Sequence, residues 1–265
     1  MRHPFFLLVM ALILNSCSKN IYKATDNKNI AIDGDASDWD LSDIQRVPDE
    51  NLLYAVNRDK ERLFVLVKST DPQVSKKIQA LGLTIWVDGK GKKKKRQGIT
   101  YPISIAEDIF IKRIQQRKSG IGNRDFQQRN FLEDEQVLQH INENKNTVEL
   151  TNFFDDSDEP FKFQLSELRI PIEAARKRAG QGELVIELAI PLNTIKKKKG
   201  KISIGLETGK LEFQRPGGSS GNFRPGLVGR RPGFRQRPVA SNPQRREQFK
   251  ELNTPIKHWE KVEID

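Results

Sequence analysis

The residues of this 265-residue chain whose types could carry chemistry are two groups of carboxylates, one thiol, three histidines and three tryptophans. Asp33, Asp35, Asp38, Asp40 and Asp43 crowd one short segment, and Asp155, Asp156, Asp158 and Glu159 crowd another. Hard oxygen donors at that density suit calcium, which takes about six to eight oxygens. The first segment lacks the EF-hand register, because the sixth position from Asp33 is Asp38 rather than Gly and the twelfth is Ile44 rather than Glu. Aspartates also serve turns and helix caps, so Asp33, Asp35 and Asp38 are candidates for calcium or for backbone duty. His140 and His258 are the only histidines beyond residue 16, and the chain has no His-Glu-x-x-His or Gly-x-Ser-x-Gly pattern. Spacing nominates no acid–base pair, so the reading is non-catalytic. Cys17 is the only cysteine, which leaves no disulfide framework and no thiolate metal cluster. Both methionines, Met1 and Met10, stand in the first ten residues and Cys-x-x-Cys-His is absent, which leaves heme only the two distant histidines, and no cofactor is expected.

Strands are the main elements that must position these residues. Residues 62–68 form a short β-branched apolar run bounded by charge and by Asp71-Pro72. Residues 81–88 alternate, with Leu83, Ile85 and Val87 on one side and Thr84, Trp86 and Asp88 on the other. The alternation ends at Asp88-Gly89, a turn signal, and puts the run Lys92 to Arg96 in the following loop. Further strands are predicted at 52–56, 147–151, 161–165, 184–190, 202–207 and 259–264. Residues 106–117 and 130–143 carry long charged side chains with apolar residues at helical spacing, such as Leu138 and Ile141, and read as inserted helices. Strands without a regular helix between each pair predict an all-β, antiparallel sandwich with one or two inserted helices.

The net charge of +11 is unevenly placed. Residues 214–255 hold eight arginines and one lysine against Glu247 and Glu251, a local +7. Lys90 with Lys92 to Arg96 adds six positive charges, and Lys196 to Lys199 with Lys201 adds five, so the remainder of the chain is acidic. Nucleic acid is not the expected partner, since no recognition motif accompanies the basic runs. Anionic lipid or an acidic protein suits 214–255, and solvated hairpin tips suit the two lysine runs. With six glycines and six prolines in 42 positions, 214–255 is expected to be a disordered insertion. Strand alternation resumes after it, so the two ends of that insertion return to the sheet.

Arg2, the apolar run Phe5 to Leu14 and the small residue Ser16 describe a secretory signal, too short for the roughly 20 residues of a membrane span. Leu14-Asn15-Ser16-Cys17 resembles the lipobox of bacterial lipoproteins. The resemblance implies cleavage before Cys17, lipidation of its sulfur, and acylation of its new amino group. Several acyl chains on one residue anchor stably. Ser18 in place of Asp implies the outer membrane, and the absence of an acidic cluster in Ser18-Lys19-Asn20 implies a periplasm-facing domain. The expected organisation is a signal over 1–16, an anchor and linker over 17–28, and a sandwich over 29–265.

A second resemblance is carried by three motifs in order. They are Ile32-Asp33-Gly34-Asp35-Ala36-Ser37-Asp38-Trp39, the strand end Val87-Asp88-Gly89, and Glu187-Leu188-Ala189-Ile190-Pro191. Together they resemble the family 9 carbohydrate-binding modules and the related DOMON domains. The resemblance implies a jelly-roll sandwich, a non-catalytic binding role and sugar stacked between tryptophans; calcium is a further association of the family. Trp39, in the opening motif, is expected in the core, and Trp259 is expected to be structural. Trp86, sharing a face with Thr84 and Asp88, is the stacking candidate. It should be solvent-reachable with a second aromatic nearby, and Tyr54 and Tyr101 are possible partners. The alternative is a structural or assembly lipoprotein whose basic loop docks an acidic protein or lipid surface.

Overall fold

A computed structural model describes residues 22–26, 30–105, 135–154, 159–195, 200–210, 250 and 253–264. Cys17 and the signal-like run, the helix expected over 106–117, Asp155, Asp156, Asp158, Lys196 to Lys199 and nearly all of 214–255 lie outside the described residues.

Thirteen strands and two α-helices succeed one another among the described residues. The chain begins with β1 (Tyr22–Lys23), β2 (Thr25–Asp26), β3 (Gln45–Arg46), β4 (Leu52–Arg58) and β5 (Arg62–Ser69). Helix α1 (Pro72–Leu81) leads into β6 (Leu83–Asp88) and β7 (Gln97–Thr100). Helix α2 (Glu135–Glu143) precedes β8 (Thr147–Thr151), β9 (Phe161–Gln164) and β10 (Glu173–Arg178). The last strands are β11 (Leu184–Pro191), β12 (Lys201–Thr208) and β13 (Lys257–Glu263).

These strands build two sheets, a β-sandwich as the alternation predicts. The larger runs β1-β13-β12-β6-β7-β8-β9, and the smaller runs β10-β11-β5-β4-β2, with β3 also on β4. Pairing is antiparallel except at two edges, where β1 lies parallel to β13 and β2 parallel to β4. The core between the sheets takes every second residue. Leu83, Ile85 and Val87 of β6 and Ile202, Ile204 and Leu206 of β12 share it with Val65 and Val67 of β5. From β11 come Leu184, Ile186, Leu188 and Ile190.

Two local devices were not evident from the strand pattern. Helix α1 begins at Asp71, whose carboxylate accepts the N–H groups of Gln73 and Val74, with Pro72 in the first turn. It ends at Gly82, whose φ of 86° favours glycine. The β4–β5 turn is tied by Asp59, whose Oδ1 accepts the N–H groups of Glu61 at 2.8 Å and Arg62 at 2.6 Å. Of the helix expected over 130–143, residues 130–134 lie outside the described residues and the rest is present as α2, and strands β7 and β10 join those the alternation predicts.

Candidate ligand-binding face

Each sheet has an outer face, and each outer face carries a tryptophan bonded to a glutamate. On the smaller sheet the pair is sealed. Glu187 stands in β11, fully buried, and its Oε1 accepts Trp39 Nε1 at 2.6 Å. Its Oε2 accepts the backbone N–H of Gly34 at 2.6 Å and of Asp33 at 3.1 Å. One buried carboxylate therefore joins the opening Ile-Asp-Gly motif to the late Glu-x-x-Ile-Pro motif. Gly34 is required there: its φ is 83°, and a Cβ would fall 2.9 Å from the Lys177 backbone. Ile30, Trp39, Ala55, Phe64, Leu66, Val185 and Ala189 close an apolar layer around the pair. Burial pushes the Glu187 pKa up, against the pull of its three N–H donors. Trp39 is thus a core residue, as expected from its place in the motif.

On the larger sheet the corresponding face is sealed less completely: Trp86, Trp259, Thr84 and Glu207 are half-buried, while Thr100 and Thr151 are buried. Its residues fall into cross-strand rows fixed by register. The central row is Trp259 on β13, Gly205 on β12, Trp86 on β6, Gly98 on β7 and Thr151 on β8. A Cβ on Gly98 would lie 2.7 Å from Trp86 Cζ3, and one on Gly205 would lie 2.8 Å from Trp259 Cε2. The indoles therefore lie down over neighbouring glycines, and each half-buried ring turns a face outward. Their strands are two positions apart, about 10 Å at ordinary strand spacing.

A polar row flanks the aromatic one: Lys257, Glu207, Thr84, Thr100, Glu149 and Lys162 stand opposite one another across five strand pairings. Thr84 and Thr100 share a hydrogen bond of 2.9 Å between hydroxyls. Glu207 accepts Trp86 Nε1 at 2.9 Å and pairs with Lys95 and, at 3.2 Å, with Lys257. Burial acts to raise the Glu207 pKa, but the bonds from Lys95, Trp86 and Lys257 outweigh it and hold the carboxyl below its usual range. The Lys95 ammonium stands 5.2 Å from the centre of the Trp86 ring.

Asp88 shares this side of β6 but offers nothing to a ligand. It is fully buried, and its carboxylate accepts the N–H groups of Lys90, Lys92 and Lys94 at 2.9–3.0 Å and Arg96 Nε at 2.9 Å. Its work is to shape the lysine loop. Of the three ligand-binding candidates, Trp86 and Thr84 are half-buried on the outer face of β6, and Asp88 is fully buried.

The calcium candidates are likewise engaged with the backbone. Asp33 Oδ1 accepts the N–H of Asp35, Asp35 Oδ1 that of Ser37, and Asp38 Oδ2 that of Ala31. Asp35 also faces Lys177 Nζ at 3.0 Å, which holds its pKa down. Among the described residues no three His, Cys, Asp or Glu side chains are grouped to hold a metal ion, so Asp33, Asp35 and Asp38 are not brought together around one point.

Tyr54 and Tyr101, the aromatic partners considered for Trp86, are both buried instead. The Tyr54 ring packs on His258 at 4.9 Å and its hydroxyl donates to Glu260, while the Tyr101 hydroxyl donates to the Lys145 carbonyl at 3.0 Å. Among the described residues, the aromatic that shares the Trp86 row is Trp259. Glycines inside two strand patterns were the signal for it, since a glycine there marks a close approach.

No family model matches the chain, and no curated protein matches it. Among solved structures it is similar to a family 9 carbohydrate-binding module from Caldicellulosiruptor kristjanssonii in complex with cellotriose. That similarity is 14% identity at a TM-score of 0.33, over 71% of this chain and 75% of that one. A structure from the same organism and family in complex with glucose aligns at 10% identity and a TM-score of 0.31, over 71% and 78%.

Proposed function

We propose that this is a lipid-anchored protein of the bacterial cell envelope whose sandwich binds carbohydrate without catalysis. The observation that carries the binding reading is the row Trp259-Gly205-Trp86-Gly98, which lays two indoles on an open sheet face. A flat ring suits the apolar C–H face of a pyranose, and the adjacent Thr84, Glu207 and Lys257 can address its hydroxyls. The full chain on a glycan array should retain a defined set of glycans, and Trp86→Ala should weaken the best of them at least tenfold while the far-UV circular dichroism stays unchanged. A Trp86→Ala protein that binds like the wild type would remove the site.

The anchor rests on the signal-like run that ends at Cys17, with the outer membrane and a periplasm-facing domain as its address. Expressed with its own leader in a double-membrane bacterium, the protein should incorporate labelled palmitate and sediment with outer membranes. Cys17→Ser should abolish the label and release the protein; an unlabelled, soluble wild type would refute the anchor.

A further inference from the structure

We propose that the open tryptophan face selects acidic glycans, chains whose sugars bear carboxylate or sulfate groups, over neutral ones; this rests on the carbohydrate reading of the same face. The charge that would select them stands in the loop between β6 and β7. Lys90, Lys92, Lys93, Lys94 and Lys95 are all exposed in it, and their mutual repulsion favours a loosely spread loop. Instead the backbone winds round one buried carboxylate, Asp88, which gathers three N–H groups and the Arg96 guanidinium. Lys93 stands in the left-handed region at φ 57°, uncommon for a residue with a side chain. The loop is a built device for holding ammonium groups in place.

Its cations are aimed at the aromatic row. Lys93 Nζ donates to the Trp259 carbonyl at 2.8 Å, and Lys95 Nζ lies over Trp86. From β13, Lys257 adds a third ammonium beside the row. The carboxylate that answers this strip is Glu207, and Lys95, Lys257 and Trp86 Nε1 already share it. Among the described residues no carboxylate pairs with Lys90, Lys92, Lys93 or Lys94. The rim of the platform therefore carries unmatched positive charge.

That charge decides between classes of sugar. A pyranose stacking on Trp86 must push the Lys95 ammonium off the ring, losing a cation–π contact. A neutral sugar gives the ammonium nothing in return. An acidic sugar presents a counter-charge at the rim, where Lys93 and Lys95 can reach it, and it is drawn to the face by the surrounding field. A membrane surface engages indoles that project toward its headgroups, whereas these two lie flat against the sheet over Gly98 and Gly205.

The test compares the full chain against oligogalacturonate and its full methyl ester, which lacks the carboxylate charge, and against sulfated chondroitin oligomers and their desulfated, carboxyl-reduced forms. At least one acidic oligomer should bind tenfold or more tightly than its uncharged partner. That preference should fade as NaCl rises from about 50 to 500 mM, where the screening length falls to a few ångströms. Lys93→Gln/Lys95→Gln should remove it, Lys93→Arg/Lys95→Arg should restore most of it, and Trp86→Ala should weaken both members of the pair. Equal binding of acid and ester, or binding confined to a neutral oligomer such as cellohexaose, overturns the acidic preference and leaves the carbohydrate reading standing. Binding to phosphatidylglycerol vesicles that needs the lysines but not Trp86, with no oligosaccharide bound, overturns both.

Discussion

Trp39 with Glu187 and Trp86 with Glu207 are the same pair of side chains placed on opposite outsides of one sandwich. Both indoles donate from Nε1 to a glutamate on a neighbouring element, at 2.6 Å and 2.9 Å. The two differ in their cover. Residues 30–44 lie across the smaller sheet, so Trp39 is 3% exposed and Glu187 has no access to water. Over the larger sheet the described cover is the lysine loop, which touches the row with side-chain tips and leaves Trp86 half-exposed. The sealed pair fastens a loop to the sheet, and its glutamate is completed by two further backbone donors. The open pair is completed by two lysines that water can reach. An indole–carboxylate bond thus says nothing about function until the covering layer is known, and here only one of the two pairs has a surface left to offer.

The largest expected effect separates the pairs by stability. Trp39→Ala removes a large side chain from a closed apolar layer and strands the Glu187 carboxylate, which should cost about 3–5 kcal/mol. Trp86→Ala removes a ring packed on one side only, so about 1 kcal/mol is expected. Urea denaturation of the two variants beside the wild type measures both. Losses of similar size would show that Trp86 is as deeply committed to the fold as Trp39, and the open-face reading would lose its basis.

How much of this is legible in the sequence varies by residue. The alternation of residues 81–88 is enough to put Leu83, Ile85 and Val87 inside and Thr84, Trp86 and Asp88 outside, because a strand has only two faces. It cannot show that Asp88 is enclosed, since that depends on a loop whose backbone turns back on its own start. Helix α1 carries its signals openly in Asp71, Pro72 and Gly82, yet Asp71-Pro72 also reads as the end of a strand, and only the residues after Pro72 separate the two readings. The pairing of Trp86 with Trp259 spans the interval between β6 and β13 and exists only because β12 lies between them. Gly98 and Gly205 hint at it, but a strand glycine names no partner. The bond from Glu187 to the opening motif is of the same kind: both motifs stand out, and only the fold brings them together.

The smallest effect is the one that sharpens the comparison most, because the two glutamates should respond to pH with opposite signs. Burial raises the Glu187 pKa in the folded protein, so the stability it contributes is fully present below the unfolded value near 4.5 and is lost as pH rises through the higher folded value. Glu207 is held low by Lys95, Trp86 and Lys257 against its own burial, so its contribution is present above the unfolded value near 4.5 and is lost as pH falls through the lower folded value. Glutamine at either position removes the titration. Relative to wild type, the deficit of Glu187→Gln should therefore be widest in acid and narrow toward neutral pH. The deficit of Glu207→Gln should be widest at neutral pH and close in acid. Urea titrations of the three proteins from pH 3 to 8, a span of conditions chosen to bracket both steps roughly evenly, read these slopes directly, each unit of pKa displacement being worth about 1.4 kcal/mol. Slopes of the same sign would mean that the three N–H donors around Glu187 outweigh its burial, so that the sealed carboxylate is held as an anion just as the open one is. The two faces would then differ in access to solvent alone and not in electrostatics.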